Sequence, residues 1–248
     1  MILRRLGVPL VAAVTSVLFV APPGHAAAPA YAALGDSYSS GVGTREYYAD
    51  SGGCQRFPHA YPVIDAARLG AALTFAACSG AKIPGILSGQ LGSLNGSASY
   101  VTVSAGGNDL GWSAVIVQCA KPWPYTCWGD IDRAEAYIRN TLPGQLDQLY
   151  STIRSRAPNA RLIAVGYPRL FNGQECNAIA RISPGEQSRL NAAADLLATT
   201  TAARAAANGF TFVDARGTFN GHAVCGSPEW INGTSWPVSE SYHPNRAG

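Results

Sequence analysis

The stretch Tyr31-Ala32-Ala33-Leu34-Gly35-Asp36-Ser37-Tyr38-Ser39 decides the fold, because it joins a short apolar run directly to a polar turn. The run Tyr31–Leu34 has the continuous apolar character of a strand that is buried between two helical layers. The turn places Ser37 at the carboxyl end of this strand. A serine at that position can present both its hydroxyl and its own backbone N–H to a bound molecule.

Four more apolar runs predict buried parallel strands of the same sheet. Each is a continuous apolar or β-branched run and not a strict alternation, as expected when helices cover both faces of a sheet. The four runs are Leu73–Ala77, Tyr100–Ala105, Leu162–Gly166 and Phe210–Asp214. We therefore predict the α/β class, with a three-layer α/β/α sandwich built on a mostly parallel five-stranded sheet.

Two helical patterns lie between the predicted strands. The first has apolar residues at helical spacing, at Leu142, Leu146, Leu149 and Ile153, and ends before Ala157-Pro158-Asn159. The second begins with Ser183 as its cap, Pro184 at its first position and Glu186 completing a capping box. It ends at Asn208-Gly209, a typical C-terminal signal.

The first 26 residues have the pattern of an export signal. A basic start, Met1–Arg5, precedes the apolar run Leu6–Ala21, and small residues at Gly24 and Ala26 indicate cleavage after Ala26. The alternative is an uncleaved membrane anchor, but the run is shorter than the roughly 20 residues that a spanning helix needs. We expect residues 1–26 to be a signal peptide and residues 27–248 to form one secreted domain.

The charge balance argues against several kinds of partner. Removal of residues 1–26 takes Arg4 and Arg5 from 18 basic and 15 acidic residues, which leaves 16 and 15 and a net charge of about +1. No basic block remains that would bind nucleic acid or an anionic lipid surface. Hydrophobic residues make up 47% of the chain, enough for a large core. We expect a monomer that binds no nucleic acid and does not insert stably into membranes.

The six cysteines indicate disulfides, because their number is even and the chain is expected to be exported. Fifteen pairings are possible in principle. We expect neighbours in sequence to pair, as Cys54–Cys78, Cys119–Cys127 and Cys176–Cys225. No pair of cysteines or histidines has the close spacing of a zinc site, so we expect no metal.

The polar residues that follow the strands suggest nucleophilic catalysis. A serine hydroxyl such as that of Ser37 needs a base, and His243 is favoured over His59 and His222. Ligands in such folds gather at the carboxyl ends of the strands. The N–H groups of Ser37 and Gly80 and the side-chain amide of Asn108 all follow strands there, so they are candidate donors to an oxyanion.

Four blocks in this order resemble those of the SGNH (GDSL) hydrolases. They are Gly35-Asp36-Ser37-Tyr38, Cys78-Ser79-Gly80-Ala81, Gly106-Gly107-Asn108-Asp109 and His243-Pro244-Asn245. The chain is similar in particular to the secreted bacterial lipases and esterases of that superfamily, which include phospholipase A-like members. The resemblance covers nearly all of residues 27–248.

The resemblance implies a flavodoxin-like sandwich that works without cofactor or metal. It implies that Ser37 is the nucleophile and His243 the general base. It also implies an oxyanion hole made by the Ser37 and Gly80 N–H groups and the Asn108 side chain. Asp36 and Asp109 are then expected to hold loops in place and to take no part in the chemistry.

Two features depart from the family pattern. Many members carry Asp three residues before the catalytic histidine, and here that position is Glu240. Either the Glu240 carboxylate or a nearby backbone carbonyl is expected to orient His243. The chain also ends at Gly248, five residues after His243, whereas relatives usually continue through a C-terminal helix, and the sequence leaves open whether the domain is shortened there.

These features predict a secreted serine ester hydrolase, a lipase or esterase that acts on small or lipid esters through an acyl-enzyme. One alternative is a carbohydrate acetyl esterase. The other is a secreted binding module that has kept the fold without the activity. The loop between Cys119 and Cys127, with Pro122-Trp123-Pro124-Tyr125, is expected either to wall an apolar pocket or to be a disulfide-stapled surface loop.

Overall fold

The computed structural model describes residues 27–176 and 181–248, so the predicted signal peptide lies outside the described residues. Five strands form one parallel sheet in the order β2-β1-β3-β4-β5. They are β1 (Ala30–Gly35), β2 (Ala72–Phe75), β3 (Ala98–Ser104), β4 (Arg161–Val165) and β5 (Thr211–Val213). The predicted α/β sandwich is confirmed, and every strand pairing is parallel.

The described residues form eight α-helices and three short 3-10 turns. The helices are α1 (Ser37–Ser40), α2 (Tyr61–Leu69), α3 (Ile83–Gly89), α4 (Trp112–Cys119), α5 (Trp128–Asn140), α6 (Leu142–Arg156), α7 (Pro184–Ala207) and α8 (Ala215–Thr218). The 3-10 turns are Ala49–Cys54, Leu91–Ser93 and Val238–Glu240. The predicted start of α7 is confirmed, since Ser183 and Glu186 form a reciprocal capping box.

The main core lies between the sheet and the layer formed by α3, α5, α6 and α7. The apolar residues predicted to line α6 are all completely buried there: Leu142, Leu146, Leu149 and Ile153. The opposite face of the sheet has a much smaller core, in which Tyr31 and Ala33 pack against Ala66 of α2. The two helical layers are therefore unequal in thickness.

The edge strands are less buried than the sequence predicts. Along β2 and β5, exposed and half-buried residues alternate, with Thr74 and Val213 exposed. For β5 the reason is the thin second layer, since Val213 lines a groove of about 500 Å³ on that face between α2 and α8. In β2 the half-buried Leu73 and Phe75 pack against the small core, and the exposed Thr74 lies on the other face of this edge strand. The predicted runs Leu73–Ala77 and Phe210–Asp214 also extend beyond the observed strands.

The three predicted disulfides are confirmed. Cys54–Cys78, Cys119–Cys127 and Cys176–Cys225 are bonded, with Cα atoms 4.0, 4.8 and 5.9 Å apart. The second one links the end of α4 to the residue before α5, and so closes the base of the loop between them. In the ranges 27–176 and 181–248, no helix is both long and apolar enough to span a membrane.

The main core generates a stability prediction. Leu146→Ala removes a completely buried side chain, so we expect the free energy of unfolding to fall by about 2–5 kcal/mol. Leu69→Ala changes a side chain that is 42% exposed at the end of α2, and is expected to cost less than about 1 kcal/mol. Urea denaturation measures both. Equal losses would contradict the assignment of the core to the α6 side of the sheet.

Candidate active site

Ser37 begins α1 directly after β1, at the carboxyl edge of the sheet. Asp36 caps this short helix, and its Oδ1 accepts the Tyr38 N–H at 3.0 Å. The sharp turn requires Gly35, which has a φ of +124° and lies against β3 so closely that a Cβ would be 2.6 Å from the Ser104 carbonyl oxygen. The serine is therefore held in place by the end of the strand.

Gln90 fixes the same strand end from the side of α3. The Gly35 N–H donates to Gln90 Oε1 at 2.7 Å, and Gln90 Nε2 donates to the Gly35 carbonyl at 2.8 Å. The Cys78 N–H also donates to the Gly35 carbonyl, at 3.0 Å. These bonds satisfy buried polar groups where β1 leaves the sheet, and they tie the segment that contains Gly80 to the serine turn.

His243 lies beside the serine. Its Nε2 is 2.8 Å from Ser37 Oγ, and its Nδ1 is 3.0 Å from the Ser241 carbonyl oxygen. A carbonyl oxygen only accepts, so Nδ1 carries the proton of the neutral ring. Nε2 is then the acceptor for the Ser37 hydroxyl, which is the arrangement that a general base needs.

Asn232 holds the chain that carries His243. The Tyr242 N–H donates to the Asn232 carbonyl, and the Asn232 N–H donates to the His243 carbonyl, both at 2.9 Å. The Asn232 side chain also donates to the Gly43 carbonyl at 2.8 Å. Gly43 has a φ of +109° and lies against His243 and Pro244 with no space for a side chain. The histidine is thus connected to the segment that follows α1.

Tyr38 connects the serine turn directly to the histidine. Its hydroxyl donates to the Tyr242 carbonyl at 2.7 Å. Its ring centroid lies 5.2 Å from that of His243 and 5.1 Å from that of Tyr167, the latter edge-on. Tyr38, the residue after Ser37, therefore holds Tyr242, the residue before His243.

Glu240 does not contact the imidazole. Its side chain is only 1% exposed, its Oε1 accepts the Tyr47 hydroxyl at 2.6 Å, and its Oε2 lies 3.5 Å from Arg45 Nε. The structure therefore brings Ser37 and His243 together, whereas the Glu240 carboxylate contacts Tyr47 and Arg45. The backbone carbonyl alternative corresponds to the contact that is present, that of Ser241.

The three candidate oxyanion donors lie at the same edge of the sheet. The N–H groups of Ser37 and Gly80 donate to no acceptor within the described ranges. Gly80 has a φ of +75°, which favours glycine, and the residue is exposed. One amide hydrogen of Asn108 is used, since its Nδ2 donates to the Ala81 carbonyl at 3.0 Å, and the other is left for a ligand.

The two aspartates make bonds within the protein. Asp36 Oδ2 accepts the Tyr167 hydroxyl at 2.6 Å, and this hydroxyl in turn accepts the Gly107 N–H at 3.3 Å. Asp109 accepts the Ile83 N–H at the start of α3. Burial raises the pKa of Asp36 to about 7, because desolvation outweighs the hydrogen bonds that favour its ionised form.

Burial also shifts the pKa of His243. It lowers the pKa of the His243 imidazole below its usual value, while the bond to the Ser241 carbonyl and the charge of Glu240 oppose the shift. The neutral, proton-accepting form of His243 is therefore favoured near neutral pH.

A cavity of about 370 Å³ opens beside Ser37 and His243. Its walls are mainly apolar and come from α4, α7 and the segments around residues 167–170 and 234–243. Apolar side chains in these walls are Trp112, Ile116, Val117, Leu170, Ala194, Leu197, Val238 and Tyr242. The loop residues Pro122-Trp123-Pro124-Tyr125 do not line it, so this loop is a stapled surface loop and not a pocket wall.

Several residues that build the site carry no signal in the sequence. Gln90, Asn232, Tyr47 and Tyr167 each act through a contact with a residue more than 50 positions away. Tyr38 is the exception, because it belongs to the same block as Ser37. In the part of the chain that the structure describes, no group of three or more His, Cys, Asp or Glu side chains is arranged to hold a metal ion.

Comparison with known proteins identifies a family and several relatives. The sequence model described as the GDSL-like Lipase/Acylhydrolase family matches residues 33–248. "Lipase 1" of Streptomyces coelicolor is 45% identical over 226 residues, which are 90% of this chain and 83% of that protein.

Two crystal structures resemble the fold closely. The extracellular lipase from Streptomyces rimosus aligns with a TM-score of 0.83 at 42% identity, over 88% of this chain and 93% of that one. Phospholipase A1 from Streptomyces albidoflavus NA297 aligns with a TM-score of 0.84 at 41% identity, over 89% of this chain and 94% of that one.

The buried carboxyl of Asp36 generates a prediction on pH and stability. Because its pKa is raised on folding, the folded state binds this proton more tightly, and stability is lost as pH rises from about 4 to about 7. Relative to Asp36→Asn, the wild-type protein should lose about 2–3 kcal/mol of unfolding free energy between pH 5 and pH 8. Urea denaturation at both pH values measures this difference. A wild-type protein that gains stability relative to the variant would contradict the assignment.

Proposed function

The chain belongs to the GDSL-like lipase/acylhydrolase family, and from this premise we propose that it is a secreted lipase or esterase that hydrolyses acyl esters through an acyl-enzyme on Ser37. Family membership makes it a carboxylic ester hydrolase. The observation that carries the residue assignment is the 2.8 Å hydrogen bond between Ser37 Oγ and His243 Nε2. A binding module that had lost the activity would not need this bond.

Acylation begins with the attack of Ser37 Oγ on the carbonyl carbon of the ester. His243 Nε2 takes the hydroxyl proton as the new C–O bond forms, which turns a poor nucleophile into an effective one. The tetrahedral intermediate then collapses, and the same proton passes to the leaving alcohol oxygen as the old ester bond breaks. The products of this step are the free alcohol and a Ser37 acyl ester.

The negative charge of the intermediate needs donors that are already in position. The proposal assigns this task to the Ser37 and Gly80 N–H groups and the free amide hydrogen of Asn108. This assignment is supported by the hydrogen bonds of the described residues, in which the two N–H groups have no acceptor and only one amide hydrogen of Asn108 is used. Loss of a single donor of this kind typically reduces turnover by about 10²–10³.

Deacylation repeats the chemistry with water. His243 Nε2 removes a proton from a water molecule as it attacks the acyl carbon, and then returns the proton to Ser37 Oγ, which releases the carboxylic acid. In both half-reactions His243 becomes an imidazolium. We infer that the Ser241 carbonyl orients and stabilises it, with Glu240 contributing its charge at longer range.

The cavity favours a substrate with a long acyl chain over one with an acetyl group. Ile116, Leu170 and Leu197 are nearly completely buried at its inner end, whereas Val117 and Val238 are more than half exposed at its mouth. An acyl chain that extends from Ser37 into this space would gain about 0.8 kcal/mol of binding free energy for each methylene that it buries. The Streptomyces lipase and phospholipase A1 support an ester substrate of this kind.

Secretion is supported by the cysteines and by the relatives. All six cysteines form disulfides, which persist in oxidising compartments. The Streptomyces rimosus structure is that of an extracellular lipase.

The nucleophile is tested by Ser37→Ala. We expect hydrolysis of p-nitrophenyl butyrate to fall by about 10⁴ or more, since the attacking group is removed and the fold is kept. A fluorophosphonate probe should label the wild-type protein and not this variant. Ser39→Ala, a buried serine in the same helical turn, is the matched control and should still be labelled. A Ser37→Ala protein with activity within a few-fold of the wild type would refute the assignment.

The substrate class is tested with acetyl, butyryl and octanoyl p-nitrophenyl esters. We expect kcat/KM to rise with chain length by about tenfold or more, because the added methylenes enter the apolar cavity. Ala194→Leu narrows the inner end, and should reduce octanoyl hydrolysis while acetyl hydrolysis persists as the internal control. Activity limited to acetyl esters in the wild-type protein would instead favour the carbohydrate acetyl esterase alternative.

A further inference from the structure

Two segments that contribute lining residues to the cavity also carry strongly exposed apolar side chains. Among the described residues, the five large apolar side chains with the greatest exposure are Trp123 (90%), Trp236 (82%), Val238 (62%), Val117 (61%) and Tyr125 (60%). No other large apolar side chain in the same ranges is more than 46% exposed. These five residues belong to only two segments, and we call them the mouth rim.

The mouth rim is continuous with the cavity. Val117, at one end of the first segment, and Val238, at one end of the second, line the cavity while more than half of each side chain faces solvent. Trp123 and Tyr125 follow shortly after Ala120, which is also a lining residue. The exposed apolar surface is therefore an outward extension of the place where we propose that the acyl chain binds.

Both segments are anchored by bonds within the protein. The Cys119–Cys127 disulfide closes the base of the loop that carries Trp123 and Tyr125. The Trp236 segment is fixed where the Ser235 N–H donates to Ser241 Oγ at 2.9 Å. Binding through these aromatic rings would thus require little ordering of the chain, which keeps the entropic cost of association low.

The charge of the rim fits a phospholipid surface. In residues 117–126 and 233–241 the charged residues are Lys121, which is exposed, and Glu240, which is buried. The rim therefore presents apolar and aromatic groups and one ammonium, with no exposed carboxylate of its own. Trp, Tyr and Lys are the residues that favour the boundary between lipid headgroups and acyl chains.

We propose that the mouth rim is the surface by which the protein docks on aggregated phospholipid. It would seat the cavity mouth at the lipid–water boundary, so that an acyl chain passes from the aggregate to Ser37 without crossing water. The rings would reach only the headgroup level, as in other peripheral binding through exposed apolar residues. This inference rests on the proposed function, because it takes an acyl ester as the substrate of the adjoining cavity.

The test measures binding without hydrolysis. The Ser37→Ala protein is mixed with phosphatidylcholine vesicles, and the bound fraction is measured by co-sedimentation. We expect it to bind, and the additional changes Trp123→Ala and Trp236→Ala together to lower the partition coefficient at least tenfold. Leu69→Ala in the same background changes an exposed leucine at the end of α2 and should leave the partition coefficient unchanged.

Three outcomes would overturn the proposal. They are failure of the Ser37→Ala protein to bind vesicles, equal binding by the tryptophan double variant, and a dimer in light scattering that the double variant abolishes. The third would identify the mouth rim as an interface between copies of the chain. Because binding is measured with Ser37→Ala, a loss of the proposed esterase function in the wild-type protein is a separate result.

A second measurement uses the active protein. With Ser37 intact, the double variant should lose at least tenfold in the ratio of turnover on phosphatidylcholine vesicles to turnover on dissolved p-nitrophenyl butyrate. An equal loss on both substrates would place the tryptophans in the cavity and contradict the docking role.

Discussion

Gly35 lies against Ser104 with no room for a side chain between them, and the arrangement of the site depends on this contact. The parallel register pairs these two residues at the ends of β1 and β3. The chain that leaves β1 therefore turns into α1 at once, while the chain that leaves β3 turns toward Asn108. Gln90 holds the polar groups of Gly35 from a third direction. Ser37 and Asn108, which are distant in sequence, thus lie at the same edge of the sheet.

The sequence predicts the parts of the fold that depend on local signals. Buried central strands, the periodic leucines of α6 and the capping box of α7 are each encoded within a few residues, and the structure confirms them. The edge strands are different, because their burial depends on how much helix covers the sheet. A run such as Leu73–Ala77 contains no information about how far the helices extend over the edge of the sheet, so the exposure of Thr74 was not predicted.

The same distinction holds in the site. Ser37, His243 and Asn108 lie in short blocks with recognisable composition, and the structure brings Ser37 and His243 into hydrogen-bonding distance. The environment of Glu240 depends on Tyr47 and Arg45, nearly two hundred residues away, so spacing alone leaves its direction open. The loop with Trp123 is a second case in which composition is not enough. Its aromatic residues are compatible with a pocket wall and with a surface loop, and only their exposure in the structure distinguishes the two.

The bond between His243 and the Ser241 carbonyl has a consequence for how the site tolerates genetic change. A main-chain oxygen is present whatever residue is encoded at position 241, so no single codon change deletes it, whereas a carboxylate partner is lost in one step. What natural selection must preserve is the path of the loop. That task is spread over Asn232, Gly43 and Tyr38, so inherited defects in histidine orientation should map to these scaffold positions as well as to His243 itself.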